Sequence, residues 1–457
     1  MKSKYDWLDE GRALYNKGEY EDAMDCYDKA IALDPDDAFV WHYKGIALDC
    51  IERYTEAITC YDKTLELKPD DIYVWILKGE LLCKLKEYQE ASKCFRKSKI
   101  DILTIIVRLG EEKRKEAEEV VKIMLDKDSF FKGIVPTATQ FEVYKSIYIK
   151  SLLIISLLHI TTRPEEGQVA HYTKRSTSKL LLFDDSPLRL HSITTSNDPE
   201  EGKVLLDYLG YKKPHICLQN EMNRAFGGSF ILNHDSLNQF RLYGKENNEE
   251  ATGVSIVVEN SFFSYEIERS TPSLSDDSPK KTEDSKNEVP PLPLFRCIYI
   301  DPSTGHIASV GHREEYTFYR DKKPLSEKQI GEYNTYIQEV LSEVRTKMNE
   351  LKEDIAREGL DKDIVSKLLI NLRYLIKHVA FKEEQECRVI RIAALGDAEA
   401  KVEMDDNARL YIKYLSMLPY TTKICFGPKA TGIDSYRDAL QHKGYKIACI
   451  QSEAPFA

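Results

Sequence analysis

Apolar and polar positions along the chain change rhythm twice. Over the first hundred residues apolar positions recur at helical spacing. Two further stretches keep that rhythm: "DILTIIVRLGEEKRKEAEEVVKIMLD", with a charged opposite face, and "TQFEVYKSIYIKSLLIISLLHI", apolar almost throughout. The second predicts a buried helix, because its apolar run 147–160 is too short for a bilayer and contains Lys150. After "TTRPEEGQ" the texture becomes short β-like runs: 169–173, 187–193, 227–232, 253–259, 295–301, 387–393, 422–427 and 445–450. Helical runs at 325–357 and 362–379 interrupt them. Residues 264–294 are dominated by Ser, Asp, Lys, Glu and Pro, and predict a disordered insertion between strands. The expected organisation is an all-α part over 1–102, a helical cap and connector over 103–162, and an α+β domain of mostly antiparallel strands over 163–457.

The first part repeats. Trp7, Trp41 and Trp75 stand 34 residues apart. Gly11, Gly45 and Gly79 keep the same period, as do Tyr20, Tyr54 and Tyr88, and Ala23, Ala57 and Ala91. Cys26, Cys60 and Cys94 are each followed by an aromatic, and Pro35 and Pro69 close the first two units. This pattern over 4–102 resembles the tetratricopeptide repeat. The resemblance implies three pairs of antiparallel helices stacked as a solenoid, with a groove for a protein or peptide ligand. The bland alternative is an array that only packs against its own second domain. Residues 1–71 hold 18 acids and 9 bases, whereas 72–102 hold 4 and 7, a polarity that either orients a charged ligand or reflects solvated helix faces.

Composition narrows the class. Of 457 residues, 42% are hydrophobic and 31% charged, with ample apolar surface for a core. A net charge of −11 argues against a nucleic-acid-coating role, leaving nucleic acid open only as an acceptor. Ten cysteines occur without a C-x-x-C pair or zinc spacing, and the N-terminal residues are charged without an apolar core. Reduced packing cysteines, no metal, no membrane and a cytoplasmic location are expected.

Four motifs mark the second part. They are "HYTKRSTSKLL", "LRLHSITTSNDPEEG", "SFILNHDSLNQFRLYG" and "KHVAFKEEQECRVIRI", the last followed by "TKICFGPKA". In this order, over roughly residues 165–450, they resemble an uncharacterised domain family best known from bacterial genomes, with Tyr-Thr, Asn-Asp-Pro-x-Glu and Glu-x-Glu-x-Arg signatures. Phe240 replaces its usual Trp, and Ile231 a usual Ser. That family in turn resembles mono-ADP-ribosyltransferases, which implies split, mostly antiparallel sheets around NAD as co-substrate.

The resemblance implies roles. His171, Tyr172 and Thr173 would meet the ribose and nicotinamide; Tyr243, or failing that Phe240, would stack on the nicotinamide. Glu386 would be the catalytic carboxylate and Glu384 the acid facing the acceptor. Strand parity places Glu384, Glu386 and Arg388 on one face, where Arg388 can orient Glu386 by a bidentate pair. Each residue has a plain counterpart: a half-buried histidine, a core tyrosine, an acidic edge strand. Asn197-Asp198-Pro199, before Glu200, is a turn and helix-start signal in its own right. The resulting expectation is a partner-recruiting protein with an NAD-dependent ADP-ribosyltransferase domain. Its rivals are a non-enzymatic adaptor and an NAD glycohydrolase.

Overall fold

The structure, a computed structural model, describes residues 2–98, 100, 102–109, 114–125, 138–160, 163–184, 186–193, 202–211, 223–245, 249–263, 291–318, 324–395 and 400–452. The Asn-Asp-Pro-x-Glu motif and residues 264–290 of the expected insertion lie outside these. The described residues divide into two compact units, one up to residue 141 and one from residue 142 on.

In the first unit helices pair in sequence: α1 (Lys4–Asn16) with α2 (Tyr20–Leu33), α3 (Ala38–Cys50) with α4 (Tyr54–Leu67), and α5 (Ile72–Lys84) with α6 (Tyr88–Ser98). The 34-residue period has a mechanical cause. A Cβ on Gly11, Gly45 or Gly79 would meet the ring of Tyr27, Tyr61 or Phe95 at 2.5, 2.5 or 2.8 Å, so only glycine lets each aromatic lie flat against the partner helix. Pro-Asp-Asp punctuates the repeat. Asp37 accepts a bond from the Phe39 amide at 3.0 Å, and Asp71 from the Val74 amide at 3.1 Å, which starts α3 and α5. The tryptophans tie each unit to its predecessor, because Trp41 Nε1 donates to the Pro35 carbonyl at 2.8 Å and Trp75 Nε1 to that of Pro69 at 2.9 Å. Helices α7 (Ile102–Leu109) and α8 (Arg114–Leu125) follow, and α9 (Ala138–Leu157) leads into the second unit.

The second unit has mixed sheets. Its remaining helices are α10 (Arg175–Phe183), α11 (Val204–Tyr208), α12 (Leu237–Tyr243), α13 (Glu315–Phe318), α14 (Glu327–Glu358), α15 (Lys362–Leu368), α16 (Ile370–Arg373) and α17 (Ile433–His442). Its strands are β1 (Gln168–Thr173), β2 (Arg189–Ser192), β3 (Asn223–Ile231), β4 (Val254–Glu259), β5 (Phe295–Arg296), β6 (Ile298–Asp301), β7 (His306–Val310), β8 (Ile376–His378), β9 (Glu386–Ala394), β10 (Glu403–Met404), β11 (Leu410–Lys413), β12 (Thr421–Phe426) and β13 (Ala448–Gln451). The large sheet runs β10-β11-β2-β3-β1-β4-β12-β13, with β9 and β5 branching from β3; a small sheet runs β7-β6-β8. Pairing is antiparallel except for β12 with β13 and β6 with β8.

β3 explains the branching. One edge pairs with β9 along its whole length, from Asn223↔Ala394 to Ile231↔Glu386. Its other edge meets β2 near Phe226 and Gly227, and β1 only at Ile231. The large core, including Val169, Phe226, Phe230, Cys387 and Val389, lies on one face; a smaller core of Ala170, Tyr172, Ile231, Phe240, Val257 and Cys425 lies on the other.

Two expectations need correction. The run 362–379 is not one helix: it is interrupted at Leu369, stops at Arg373, and Ile376–His378 joins β6 in parallel register. A tertiary edge claims those residues over their local pattern. The run 295–301 is two strands, because the Cys297 amide turns to the Glu386 carbonyl (3.0 Å) between them. The apolar segment 147–160 is largely buried and helical as far as Leu157, with Lys150 paired to Asp354 of α14. Among the described residues no helix is long and apolar enough to cross a membrane.

Candidate functional site

The acidic motif sits where a turn becomes a strand. Val379–Glu384 forms a 3₁₀ turn, and Gln385 takes a left-handed backbone (φ 48°) before β9 begins at Glu386. The Gln385 Oε1 accepts a bond from the His312 amide at 3.0 Å, which holds that turn. Glu384 therefore precedes the strand, and the parity argument that put it on the strand face does not apply. It reaches Glu386 by another route, through Lys377.

Glu386 is enclosed, with its side chain 3% exposed. Arg388, two residues on and on the same face, donates from Nε to Oε1 at 2.7 Å and from Nη2 to Oε2 at 3.1 Å. Lys377 Nζ reaches Oε2 at 2.7 Å and also pairs with Glu384. The parallel register sets Lys377 beside Tyr299, whose hydroxyl accepts the Glu386 amide at 2.7 Å. Burial works against the Glu386 carboxylate, but Arg388 and Lys377 outweigh it and hold its pKa well below the ordinary range. Glu384 goes the other way: burial dominates, and its pKa is raised despite Lys377. Two carboxylates share one lysine and differ in proton affinity.

Tyr243 ends α12 beside them. Its hydroxyl stands 3.5 Å from Glu384 Oε1, the residue is 41% exposed, and burial with the two carboxylates pushes its phenol up. Phe381, 38% exposed, lies with its ring centre 5.3 Å from Lys377 Nζ. Tyr172 shares the sheet face of Glu386 but acts at a remove. Its hydroxyl donates to the Asn233 carbonyl at 2.7 Å and accepts the Ser236 amide at 2.9 Å, which anchors the entry to α12. Phe240, one turn into α12, packs its ring 5.0 Å from that of Tyr172 and fills core.

His171 is not brought to this cluster. Alternation along β1 turns it to the opposite face, where its ring lies 5.6 Å from Phe230 and Nδ1 meets the Ser229 carbonyl at 3.0 Å. Burial lowers its pKa. Thr173 closes β1 against Val254, on the same strand face as His171 and away from the carboxylates. The structure thus gathers Glu384, Glu386, Arg388 and Tyr243, uses Tyr172 as support, and separates His171. Sequence reasoning passed over Lys377, whose one signal was a lysine inside the apolar run "LRYLIKHVAF". Among the described residues no group of three His, Cys, Asp or Glu is placed to hold a metal.

In the repeat unit, side chains from the first helices of successive repeats meet. The Arg12 guanidinium lies 5.3 Å from the Tyr43 ring centre, and His42 stacks on Tyr73 at 5.6 Å. Tyr5 and Phe39, one period apart, are both largely exposed.

Comparison with known proteins bears on this unit. The family described as TPR repeat matches residues 11–48. No curated protein matches the chain. Solved structures similar to part of it include the second TPR domain of human RPAP3 in complex with an HSP70 peptide (23% identity, covering 26% of this chain and 91% of that one, TM-score 0.21). The Arabidopsis OM64 TPR domain is similar at 19% identity, over 26% and 92% of the two chains, TM-score 0.21. The Yersinia enterocolitica type III secretion chaperone SycD, in complex with a peptide of the translocator YopD, is similar at 19% identity, over 27% and 92%, TM-score 0.22. Family match, period and helix pairing agree: the N-terminal unit is built of TPR repeats, a module of protein–protein interaction.

Proposed function

We propose that this protein recruits a protein partner through its TPR repeats and transfers ADP-ribose from NAD at the Glu384–Glu386 cluster. The observation that carries the second half is convergence: two carboxylates of opposite pKa shift, Arg388 and a half-exposed tyrosine meet at the start of β9. The residue set suits this substrate. Glu386, held ionised, would grip a ribose hydroxyl and stabilise positive charge as the bond to nicotinamide breaks. Glu384, with its raised pKa, would take the proton from the acceptor nucleophile as it bonds to the ribose carbon. Tyr243 would flank the nicotinamide ring.

One observation favours the adaptor reading. Both oxygens of Glu386 are already engaged by Arg388 and Lys377, and the four charges balance, as in a purely structural network. Incubation of the full chain with NAD labelled on the adenylate, with and without lysate, separates the readings. Label on protein that is lost in Glu386→Gln supports transfer. Free nicotinamide without labelled protein points to hydrolysis. No product and no NAD binding would leave the protein as an adaptor.

A further inference from the structure

Helix α12 carries a second polar group to the cluster. Gln239 precedes Tyr243 by four residues and so lies on the same helix face. It is 1% exposed, and its Nε2 donates a long 3.4 Å bond to the Glu384 carbonyl. Its Oε1 is sealed from water, and among the described residues no donor meets it. Exchanging the amide ends gives no relief, since that would set oxygen against the Glu384 carbonyl oxygen. Phe240, next along the helix, turns the other way to pack on Tyr172. A leucine or methionine at position 239 would fill the space, giving up only the long bond to the Glu384 carbonyl and burying no unpaired side-chain acceptor, which is the costly feature here.

We infer that Gln239 selects the carboxamide of nicotinamide, with Oε1 accepting its N–H; this rests on the NAD reading above. The missing group is a hydrogen-bond donor, which excludes a carboxylate at that point. Within NAD the carboxamide is the donor attached to the ring that Tyr243 would flank. The analogue with nicotinic acid in place of nicotinamide would set a carboxylate against Oε1, so the site should reject it.

Calorimetric titration of the full chain with NAD and with the nicotinic-acid analogue tests this, on wild type and Gln239→Met. The wild type should bind NAD at least about tenfold more tightly than the analogue. In Gln239→Met the NAD affinity should fall about tenfold and the preference should vanish, while the unliganded variant unfolds at the same denaturant concentration as wild type or higher. Equal wild-type binding of the two dinucleotides overturns the inference without any variant. So does an undiminished preference in Gln239→Met. A wild type that binds neither dinucleotide overturns the NAD reading itself, and the inference with it.

Discussion

Replacing Glu386 by Gln removes one charge from a buried, balanced quartet. Glu384 alone then faces Lys377 and Arg388. Breaking a buried pair costs about 3–5 kcal/mol, chiefly because a charge is left uncompensated. Here the lower end applies. Lys377 keeps Glu384, and Arg388 Nη1 keeps the Tyr374 carbonyl at 2.8 Å, so neither cation is stranded. About 3 kcal/mol corresponds to roughly a hundredfold change in an opening equilibrium. Tryptophan emission is the wrong probe, since Trp7, Trp41 and Trp75 all lie in the repeat unit. Hydrogen exchange at the paired amides of β3 and β9 reads the right element, and should be about a hundredfold faster in the variant. Exchange within about threefold of wild type in Glu386→Gln would refute the network as a source of stability. The pH sign follows from the depressed Glu386 pKa. Its contribution is complete above the unfolded value of about 4.3 and is lost as pH falls through the folded one. Glu384, raised by burial, contributes with the opposite sign, and its cost is relieved as pH falls through its folded pKa. The wild type should therefore lose protection below about pH 5 more steeply than Glu386→Gln.

Three further outcomes are expected. Gly45→Ala gains about 1 kcal/mol of helix propensity but sets a Cβ 2.5 Å from the Tyr61 ring, itself almost fully buried. Overpacking of about 1–3 kcal/mol wins, and the tryptophan-detected melt should move down; an upward shift would contradict the close-approach account. Tyr172→Phe leaves the Asn233 carbonyl and the Ser236 amide without their shared partner, costing about 2–3 kcal/mol, with faster exchange in α12 as the readout. His234 is buried beside Lys423, and its pKa is pushed down to about 3 by burial first and Lys423 second. Its neutral form stabilises the fold above about pH 6.5, and this is lost as pH falls toward the folded value; His234→Gln should flatten that slope, and an unchanged slope would exclude this residue as its source.

How much of this was legible depends on the distance over which each signal acts. The repeat was readable because its determinants are local and recur: a glycine, an aromatic sixteen residues later, and a Pro-Asp-Asp cap. Most strands were readable from β-rich runs, whereas β8 was not, because Ile376–His378 owes its conformation to pairing with β6 from far along the chain. The site divides in the same way. The Glu386–Arg388 pair followed from alternation within one strand. Alternation alone also determines that adjacent residues of β1 face opposite ways, so His171 and Tyr172 could never both have faced the same pocket from that strand. Which of them shares the face of Glu386 needed the registers Ala170↔Ile231 and Ile231↔Glu386, and these select Tyr172. Glu384 shows the limit of the parity argument. One left-handed residue, Gln385, takes it off the strand, yet Lys377 draws it back to Glu386 through a register that no local pattern announces. A motif read as three groups on one strand is instead a junction of two sheets, a turn and the end of a helix. The proton affinities that make its chemistry conceivable arise from that junction rather than from the strand.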